Sequence, residues 1–333
     1  MRRTLAGALC GLTLLAGCTG DPEPASSGQP TPSASTPGTA PTGEPTATVP
    51  AGGRVTELQD GAVGLAPVGT GFWATLPEAG TVLDAHGGQT RVGSFPLRLV
   101  ETPAGVWVSV IGDGRLVRLS QGDGDVDLRV ALRPPNSEPE GLAYDGRSLW
   151  VVDQAGDRVL EVDPATGSVR DEYPTGHEPR LVTSGPSGVF VGDYTGGSVT
   201  RVADGEARTR NAGSCLSPQG LVEAAGVLWV ACTVDGQVVG LDPQTLSPVV
   251  ELPDLPHADA VVADGDTVYV VGQEGPTVWT LDARAREVVG ELVLDSAPPT
   301  QENVGAALVR GLLVVSHPET RRLYEVPLRL LGR

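Results

Sequence analysis

Lysine is absent from this 333-residue sequence, and isoleucine and methionine occur once each, at Ile111 and Met1. Without lysine, no side chain can form a Schiff base with a carbonyl substrate. The sequence also lacks a glycine-rich phosphate loop and the nucleophile elbow of serine hydrolases. These absences remove several familiar classes of enzyme from consideration.

Positive charge is scarce. The chain has 23 arginines against 41 acidic residues, and its formal net charge is -18 at pH 7. A protein that binds nucleic acid needs a basic surface to neutralise the phosphates, and no stripe of arginines supplies one. We therefore expect no nucleic-acid partner.

No sequence pattern predicts a metal site. The acidic stretch with Asp123, Asp125 and Asp127 lacks the glycine and the final glutamate of a calcium loop, because Leu128 and Pro134 stand at those positions. The four histidines are isolated and do not have metal-ligand spacing. They are His86, His177, His257 and His317. We expect neither a metal nor another cofactor.

The apolar run from Leu5 to Ala16 follows two arginines and is too short to span a bilayer, but it has the length of a signal-peptide core. It leads into "LAGC", Leu15–Cys18, which resembles the lipobox of bacterial lipoproteins. Residues 1–17 are thus predicted to be a lipoprotein signal peptide, and Cys18 the lipidated residue. The alternative is an ordinary secretory signal with a chance cysteine.

The predicted lipid on Cys18 would hold the mature chain on the extracytoplasmic face of the cell membrane, as its only membrane attachment. Residues 18–53 are rich in proline, serine and threonine and contain no aromatic side chain. Such a segment cannot bury enough surface to fold. We interpret it as a disordered linker that separates the folded part from the membrane.

A repeated pattern fills the rest of the chain. A large apolar residue begins a valine-rich strand seven times, about forty residues apart, and a second strand follows nine or ten residues later. The anchors are Trp73, Trp107, Trp150, Phe190, Trp229, Tyr269 and Leu313. An apolar strand precedes each anchor, and a more polar strand usually ends the unit. Four antiparallel strands per unit with glycine-rich and aspartate-rich turns predict an all-β propeller.

The last unit ends after its third strand, while "RVTEL", Arg54–Leu58, has no partner upstream. Propellers commonly close by pairing strands from the two termini, which removes the open edge. We therefore predict that residues 54–333 form a seven-bladed propeller whose last blade is completed by this N-terminal strand. A six-bladed ring is the alternative.

Two cysteines fall inside the predicted propeller. Cys10 lies in the signal peptide and Cys18 carries the lipid, which leaves Cys215 and Cys232 in an oxidising compartment. The hairpin between them brings these positions close together, so a disulfide is predicted. The alternative is a pair of buried free thiols.

The segment "PEGLAYDGRSLWVVDQAGDRVLEVDPATGSV", Pro139–Val169, resembles the blades of YVTN, NHL and virginiamycin B lyase-like propellers. The resemblance extends over all seven units. It implies the propeller fold strongly, but function only weakly, because these relatives include binding scaffolds, sensors and enzymes.

The entries to the inner strands are the candidate site. In a propeller these positions ring the central channel on one face, and six of the seven carry a polar residue, with Val63 as the exception. The predicted ligand-binding residues are Arg98, Glu140, Arg180, Gln219, Asp259 and Asn303, with His257 beside them. Arg98 and Arg180 flank Glu140, where they could hold its carboxylate or clamp an anionic group. Polar residues that merely line a wet channel mouth are the alternative.

Two functions follow from this pattern. The first is an exported, membrane-anchored module, expected to be monomeric, that binds a protein, a glycan or a small polar ligand. The second is a lyase or lactonase at the channel mouth that uses a divalent cation such as magnesium or calcium. No catalytic residue can be assigned from the sequence.

Overall fold

The computed structural model describes residues 49–300 and 302–332. In it the first six predicted repeats each form one four-stranded antiparallel sheet, and the seventh forms one together with the N-terminal strand. Valine and other β-branched residues favour these strands, because neighbouring sheets cover them on both faces. The predicted signal peptide, Cys18 and most of the predicted linker lie outside the described residues.

The strands follow the repeat order, and β1 (Arg54–Glu57) comes first. Blade 1 contains β2 (Leu65–Val68), β3 (Gly71–Leu76), β4 (Thr81–Leu83) and β5 (Gln89–Arg91). Blade 2 contains β6 (Pro96–Thr102), β7 (Gly105–Val110), β8 (Arg115–Leu119) and β9 (Val126–Ala131). Blade 3 contains β10 (Pro139–Tyr144), β11 (Leu149–Asp153), β12 (Arg158–Val162) and β13 (Val169–Pro174).

Blades 4 to 7 continue the series. Blade 4 contains β14 (Pro179–Gly185), β15 (Gly188–Asp193), β16 (Ser198–Ala203) and β17 (Glu206–Asn211). Blade 5 contains β18 (Pro218–Ala224), β19 (Val227–Cys232), β20 (Gln237–Leu241) and β21 (Pro248–Leu252). Blade 6 contains β22 (Ala258–Asp264), β23 (Thr267–Gly272), β24 (Gly275–Asp282) and β25 (Glu287–Ala297). Blade 7 contains β26 (Gly305–Val309), β27 (Leu312–His317), β28 (Arg322–Pro327) and β1.

Helical structure in the described part of the chain is limited to single turns. Three short 3-10 turns occur among the described residues, at Ile111–Asp113, Gln154–Gly156 and Leu328–Leu330. Within this part of the chain no helix has the length and apolar character needed to cross a membrane.

The inner strands β2, β6, β10, β14, β18, β22 and β26 surround a central channel. Each of them contacts the inner strands of both neighbouring blades, including β2 with β26. The described residues therefore form a closed ring of seven sheets, which confirms the seven-bladed prediction and shows that the six-bladed alternative is wrong.

The N-terminal strand closes the last blade. β1 pairs antiparallel with β28, and the register places Arg54 opposite Glu325. The Arg54 side chain lies 2.5 Å from the Glu325 carboxylate, and the Leu58 N–H donates to the carbonyl oxygen of Arg321 at 2.7 Å. The prediction that "RVTEL" completes the ring is confirmed.

The core lies between the blades. The seven anchors of the repeat are all buried, at 6% relative exposure or less, because each packs against side chains of an adjacent sheet. For example, Trp229 belongs to a cluster with Val261 and Trp279 of the next blade, and Phe190 packs with Leu221 and Leu228.

A disulfide joins Cys215 to Cys232, with 5.4 Å between their Cα atoms. Cys215 lies in the loop before β18, and Cys232 is the last residue of β19. Both cysteines are fully buried. The predicted pairing is confirmed.

Candidate binding site in the central channel

A repeated β-bulge positions the candidate residues. The register shifts near the first residues of β6, β10, β14, β18 and β22. A bulge bends a strand locally and changes the direction of the side chain that it carries. The residues within these five irregular segments are Arg98, Glu140, Arg180, Gln219 and Asp259.

Two glycines allow the blades to approach at this level. A Cβ atom on Gly141 would lie 2.5 Å from the carbonyl oxygen of Arg180, and one on Gly220 would lie 2.2 Å from that of Asp259. Only glycine fits so close to the backbone of the next blade. In the sequences Pro-Glu-Gly and Pro-Gln-Gly, the polar candidate residue is therefore followed directly by a glycine that packs against the backbone of the next blade.

Hydroxyl groups connect the inner strands of successive blades. Ser109 Oγ accepts from the Arg98 N–H at 3.0 Å and donates to the Glu140 carbonyl oxygen at 2.6 Å. In blade 1, Thr75 Oγ1 donates in the same way to the Leu97 carbonyl oxygen at 2.9 Å. These bonds fix the backbone beneath the candidate residues, so their side chains project from a rigid frame.

Side chains from three separate blades meet across the channel. Gln219 Nε2 of blade 5 donates to Asn303 Oδ1 at 2.8 Å, and Asn303 Nδ2, just before blade 7, donates to Glu140 Oε1 of blade 3 at 3.1 Å. Glu140 is 3% exposed and Gln219 is 1% exposed. These candidate residues are therefore buried inside the channel.

Asp259 is fully buried and only partly satisfied. Its Oδ2 accepts from the Val304 N–H at 2.7 Å and from Gln273 Nε2 at 3.4 Å. Its Oδ1 is buried and has no hydrogen-bond partner among the described residues. Burial raises the pKa of Asp259 to about 6, and Arg98 is the strongest opposing influence.

The two arginines and the two carboxylates share one electrostatic environment. Burial also raises the pKa of Glu140, against the attraction of Arg98 and Arg180. Arg180 Nη2 donates to Glu178 Oε1 at 2.9 Å, and its guanidinium carbon lies 4.1 Å from the centre of the Tyr194 ring. The structure thus brings together six of the seven predicted residues. We call them the channel group: Arg98, Glu140, Arg180, Gln219, Asp259 and Asn303.

The channel group holds most of the unsatisfied polar atoms of the described residues. Eight buried side-chain nitrogen or oxygen atoms lack a partner there, and five of the eight belong to this group. They are Arg98 Nε, Arg98 Nη2, Arg180 Nε, Gln219 Oε1 and Asp259 Oδ1. A buried polar atom without a partner costs about 1–3 kcal/mol, so the channel group is the least well satisfied polar cluster among the described residues.

A cavity of about 230 Å³ lies in the channel, and Arg98 lines it. Inner strands of all seven blades contribute to its wall. Five leucines, one from each of blades 1 to 5, line it: Leu65, Leu99, Leu142, Leu181 and Leu221. The channel therefore places the Arg98 side chain beside a partly open cavity whose wall includes these five leucines.

His257 lies just before β22 with a different set of contacts. Its Nε2 is 4.0 Å from Glu274 Oε2, and its side chain is 44% exposed. Among the described contacts, none joins it to the channel group. The blade 1 entry residue, Val63, is buried and apolar, so the charged side chains come from the other blades.

Sequence reasoning missed Glu178, which accepts from Arg180, and two further residues that contact the channel group. Tyr194 stacks on Arg180, and Gln273 bonds to Asp259. Each is the first residue after the second strand of its blade, and its N–H donates to the loop before the inner strand, at Glu178 O and His257 O. A comparison of the residue that follows the second strand in every repeat would have identified both.

The channel carboxylates do not fit a divalent cation. Glu140 and Asp259 lie close to two guanidinium groups, which repel a cation, and their oxygens accept bonds from Asn303 and Val304. Elsewhere in the described residues, Cys215, Cys232 and Asp235 lie close enough together to hold a metal. Their two sulfur atoms are bonded to each other.

Comparison with known proteins supports the fold. No protein-family model matches this sequence. No curated protein matches it either. The fold is similar to that of a streptogramin B lyase, with a TM-score of 0.67 and 17% identity over 82% of this chain and 97% of the other.

Two further solved structures share the fold. One is a catalytically inactive virginiamycin B lyase from Staphylococcus aureus with quinupristin, with a TM-score of 0.60 and 17% identity over 82% of this chain and 98% of the other. The other is the hydrazine synthase of Kuenenia stuttgartiensis, with a TM-score of 0.67 and 14% identity over 82% of this chain and 97% of the other. At these identities the similarity establishes the propeller fold and nothing about the reaction.

Proposed function

We propose that this chain is an exported, lipid-anchored binding protein whose propeller takes up a small polar ligand in its central channel. One observation carries the proposal: a cavity in the channel is lined by Arg98, whose guanidinium lies close to the buried carboxylates of Glu140 and Asp259. A ligand with an anionic or polar group in this cavity could accept a charge-assisted hydrogen bond from the guanidinium.

The size of the cavity favours a small ligand over a protein or glycan. Sites for drug-sized molecules usually have volumes of about 300–1,000 Å³. The channel cavity has about 230 Å³. A ligand with few non-hydrogen atoms fits this space, whereas a folded partner or an oligosaccharide would have to bind on the outer surface.

A metal-dependent lyase or lactonase has less support. Arg98 and Arg180 oppose a cation at Glu140 and Asp259. The lyases with the same fold share only 17% of their residues with this chain, so their activity does not transfer.

The anchoring part of the proposal rests on the sequence "LAGC" that ends at Cys18. Replacing Cys18 with serine removes the thiol that would carry the lipid, so we expect the protein in the medium or left with an uncleaved signal peptide. Membrane fractionation and mass analysis of the N-terminus measure this. A Cys18→Ser protein that is processed and stays on the membrane would contradict the anchor.

The binding part can be tested with a screen of small polar metabolites against the purified full chain, with thermal shift and calorimetry as readouts. Hits should lose affinity in the Arg98→Ala, Arg180→Ala double variant, because charge-assisted hydrogen bonds disappear. Arg208→Ala is the matched control, because Arg208 is exposed on the outer strand of blade 4. Hits that bind the double variant as well as the wild type would place the ligand elsewhere.

A further inference from the structure

Six of the seven blades place an aromatic ring in the joint with the next blade. Each ring belongs to a cluster of buried side chains that also contains residues of the following sheet. The six residues are Trp73, Trp107, Trp150, Phe190, Trp229 and Tyr269.

The ring reaches a particular loop of the next blade. At the joint between blades 2 and 3, Trp107 Nε1 donates to the Pro164 carbonyl oxygen at 3.1 Å. A Cβ atom on Gly167 would lie 3.0 Å from Cη2 of the same ring. Pro164 and Gly167 belong to the loop between the third and fourth strands of blade 3. The aromatic anchor therefore fills the space between its own sheet and this loop.

Blade 7 has a valine at the equivalent position. Leu313, the anchor predicted from the repeat, packs in the cluster with Tyr269 of blade 6. Val314 points to the opposite face of β27, toward blade 1, because successive residues of a strand alternate in direction. Each aromatic anchor is followed nine residues later by the apolar residue of its next strand, and Leu323 follows Val314 by the same interval. Val314 is therefore the structural counterpart of the six rings.

A cavity of about 350 Å³ lies in the joint between blades 7 and 1. Val314 lines it, together with Ala85 and Gly87 of the loop between β4 and β5. This is the loop of blade 1 that corresponds to the loop contacted by Trp107 in blade 3. Further apolar side chains of the wall are Phe72, Leu83, Val309, Leu312 and Leu323. The cavity thus takes the place of the aromatic ring found at the other joints.

The charged part of the wall has no net formal charge. It consists of Arg54, Arg310, Asp84 and Glu325. Arg54 lies 2.5 Å from the Glu325 carboxylate, and Asp84 Oδ1 accepts from the N–H groups of His86 at 2.7 Å and Gly88 at 2.9 Å. The wall therefore favours neither a cation nor an anion, and its apolar contacts determine what fits.

We infer that this cavity binds a small neutral molecule with one planar aromatic system, of the size of phenol or indole. An apolar cavity binds ring-sized molecules, because its wall gains contacts that an empty space does not provide. The six filled joints show that this fold accommodates a flat ring between two sheets at this level. The cavity shares no lining residue with the channel cavity, so the inference is independent of the proposed channel function.

The test is calorimetry and ligand-observed NMR on the purified full chain with indole, phenol and cyclohexanol. Cyclohexanol resembles phenol in size and hydroxyl group but lacks the planar ring. We expect indole or phenol to bind at one site per chain, ~10-fold or more tightly than cyclohexanol, because a flat ring contacts both sheets closely. Absence of binding by both aromatic probes, or equally tight binding of cyclohexanol, would overturn the inference.

Val314→Trp places in the cavity the side chain that four other blades carry at this position. We expect it to abolish binding of the aromatic probes, because the indole ring of the variant occupies their space. Val234→Trp is the matched control, because it adds the same ring at a valine of blade 5 that is 74% exposed, and it should leave binding unchanged. A folded Val314→Trp protein that binds the probes as well as the wild type would overturn the site.

Two further variants test the location without changing the buried valine. Ala85→Phe introduces a ring from an exposed position of the cavity wall, and it should abolish binding of the probes even if Val314→Trp does not fold. The Arg98→Ala, Arg180→Ala double variant alters only the channel and should leave their binding unchanged. Full binding by Ala85→Phe, or loss of binding in the channel variant, would overturn the assignment to the joint between blades 7 and 1.

Discussion

Buried charges occur in two regions of this propeller, and the regions differ in how completely the protein satisfies them. Between blades 6 and 7, Asp295 is 1% exposed and accepts from Arg322 Nη1 at 2.9 Å and from Tyr324 Oη at 2.6 Å. We call these three residues the paired group. Burial raises the pKa of Tyr324, so its hydroxyl remains a donor near neutral pH.

The channel group is equally buried but is left with five unpartnered atoms. Both regions contain arginine and carboxylate, so composition does not separate them. The difference lies in geometry, because Asp295 of the paired group bonds directly to Arg322, whereas no hydrogen bond joins Arg98 or Arg180 to Glu140 or Asp259 among the described residues. The direct bond joins blades 6 and 7, and the channel group has no such ion pair between its own members.

The largest effect should come from removing the closing strand, which the paired group adjoins. Deletion of residues 19–48 leaves β1 and its ion pair with Glu325 in place, whereas deletion of residues 19–58 removes them. The longer deletion exposes the edge of β28, and we expect it to cost several kcal/mol more in unfolding free energy. Chemical denaturation of both proteins measures this, and equal stability would contradict closure by β1.

Breaking the paired group should have the next largest effect. Asp295→Ala leaves the partly buried Arg322 and the Tyr324 hydroxyl without their shared acceptor. We expect a loss of ~3–5 kcal/mol in the free energy of unfolding, measured by denaturant titration. A loss below ~1 kcal/mol would mean that the direct bonds do not hold the two blades together.

The channel group and Asp193 should make stability depend on pH. Burial raises the pKa of Asp259 and of Asp193 to about 6, above the ordinary value of 3.8. Between these values the two carboxyls bind more protons in the folded protein than in the unfolded chain, so their contribution to stability is greatest at low pH and falls as the pH rises from 3.8 through 6. Each carboxylate can contribute up to roughly 3 kcal/mol.

Asp193→Asn sharpens this measurement, because Asp193 lies outside the channel group and bonds to Ser198 and Thr200 at 2.9 Å. We expect the variant to lose the contribution of Asp193 to the change in unfolding free energy between pH 4 and pH 7. Asp259→Asn should likewise lose the contribution of Asp259. Variants whose unfolding free energy has the same pH dependence as that of the wild type would contradict the raised pKa values.

The smallest effect on stability should come from neutralising one charge of each sign in the channel. The double variant Arg98→Gln, Asp259→Asn keeps the net charge and the acceptor for Val304. We expect unfolding free energy to change by less than ~1 kcal/mol, because neutral replacement of a buried charge pair is often harmless. A loss as large as that of Asp295→Ala would show that the channel group is structural.

The sequence predicted the fold well, because the same pattern of strands occurs in seven successive units. The seven anchors from Trp73 to Leu313 predicted seven blades. The N-terminal strand that begins at Arg54 predicted how the ring closes. The cysteine pair followed from the hairpin between β18 and β19. Local spacing determines these features, so they can be read without coordinates.

The site was predictable only in part. Counting along the repeats identified the six residues of the channel group, but it did not reveal that Gln219, Asn303 and Glu140 bond across the axis. Such contacts join non-neighbouring blades and depend on the bulges. Spacing also placed His257 with the group, whereas its side chain contacts Glu274. Side-chain direction decides these contacts, and spacing alone does not supply it.

The most direct test is a high-resolution crystal structure of the purified full chain grown with the tightest-binding hit of the metabolite screen. We expect density for one small molecule in the channel cavity, in contact with the Arg98 side chain. A direct bond between Arg98 and Asp259 at ~2.7–3.0 Å, with no molecule in the channel, would contradict the claim that the channel group is built for a ligand.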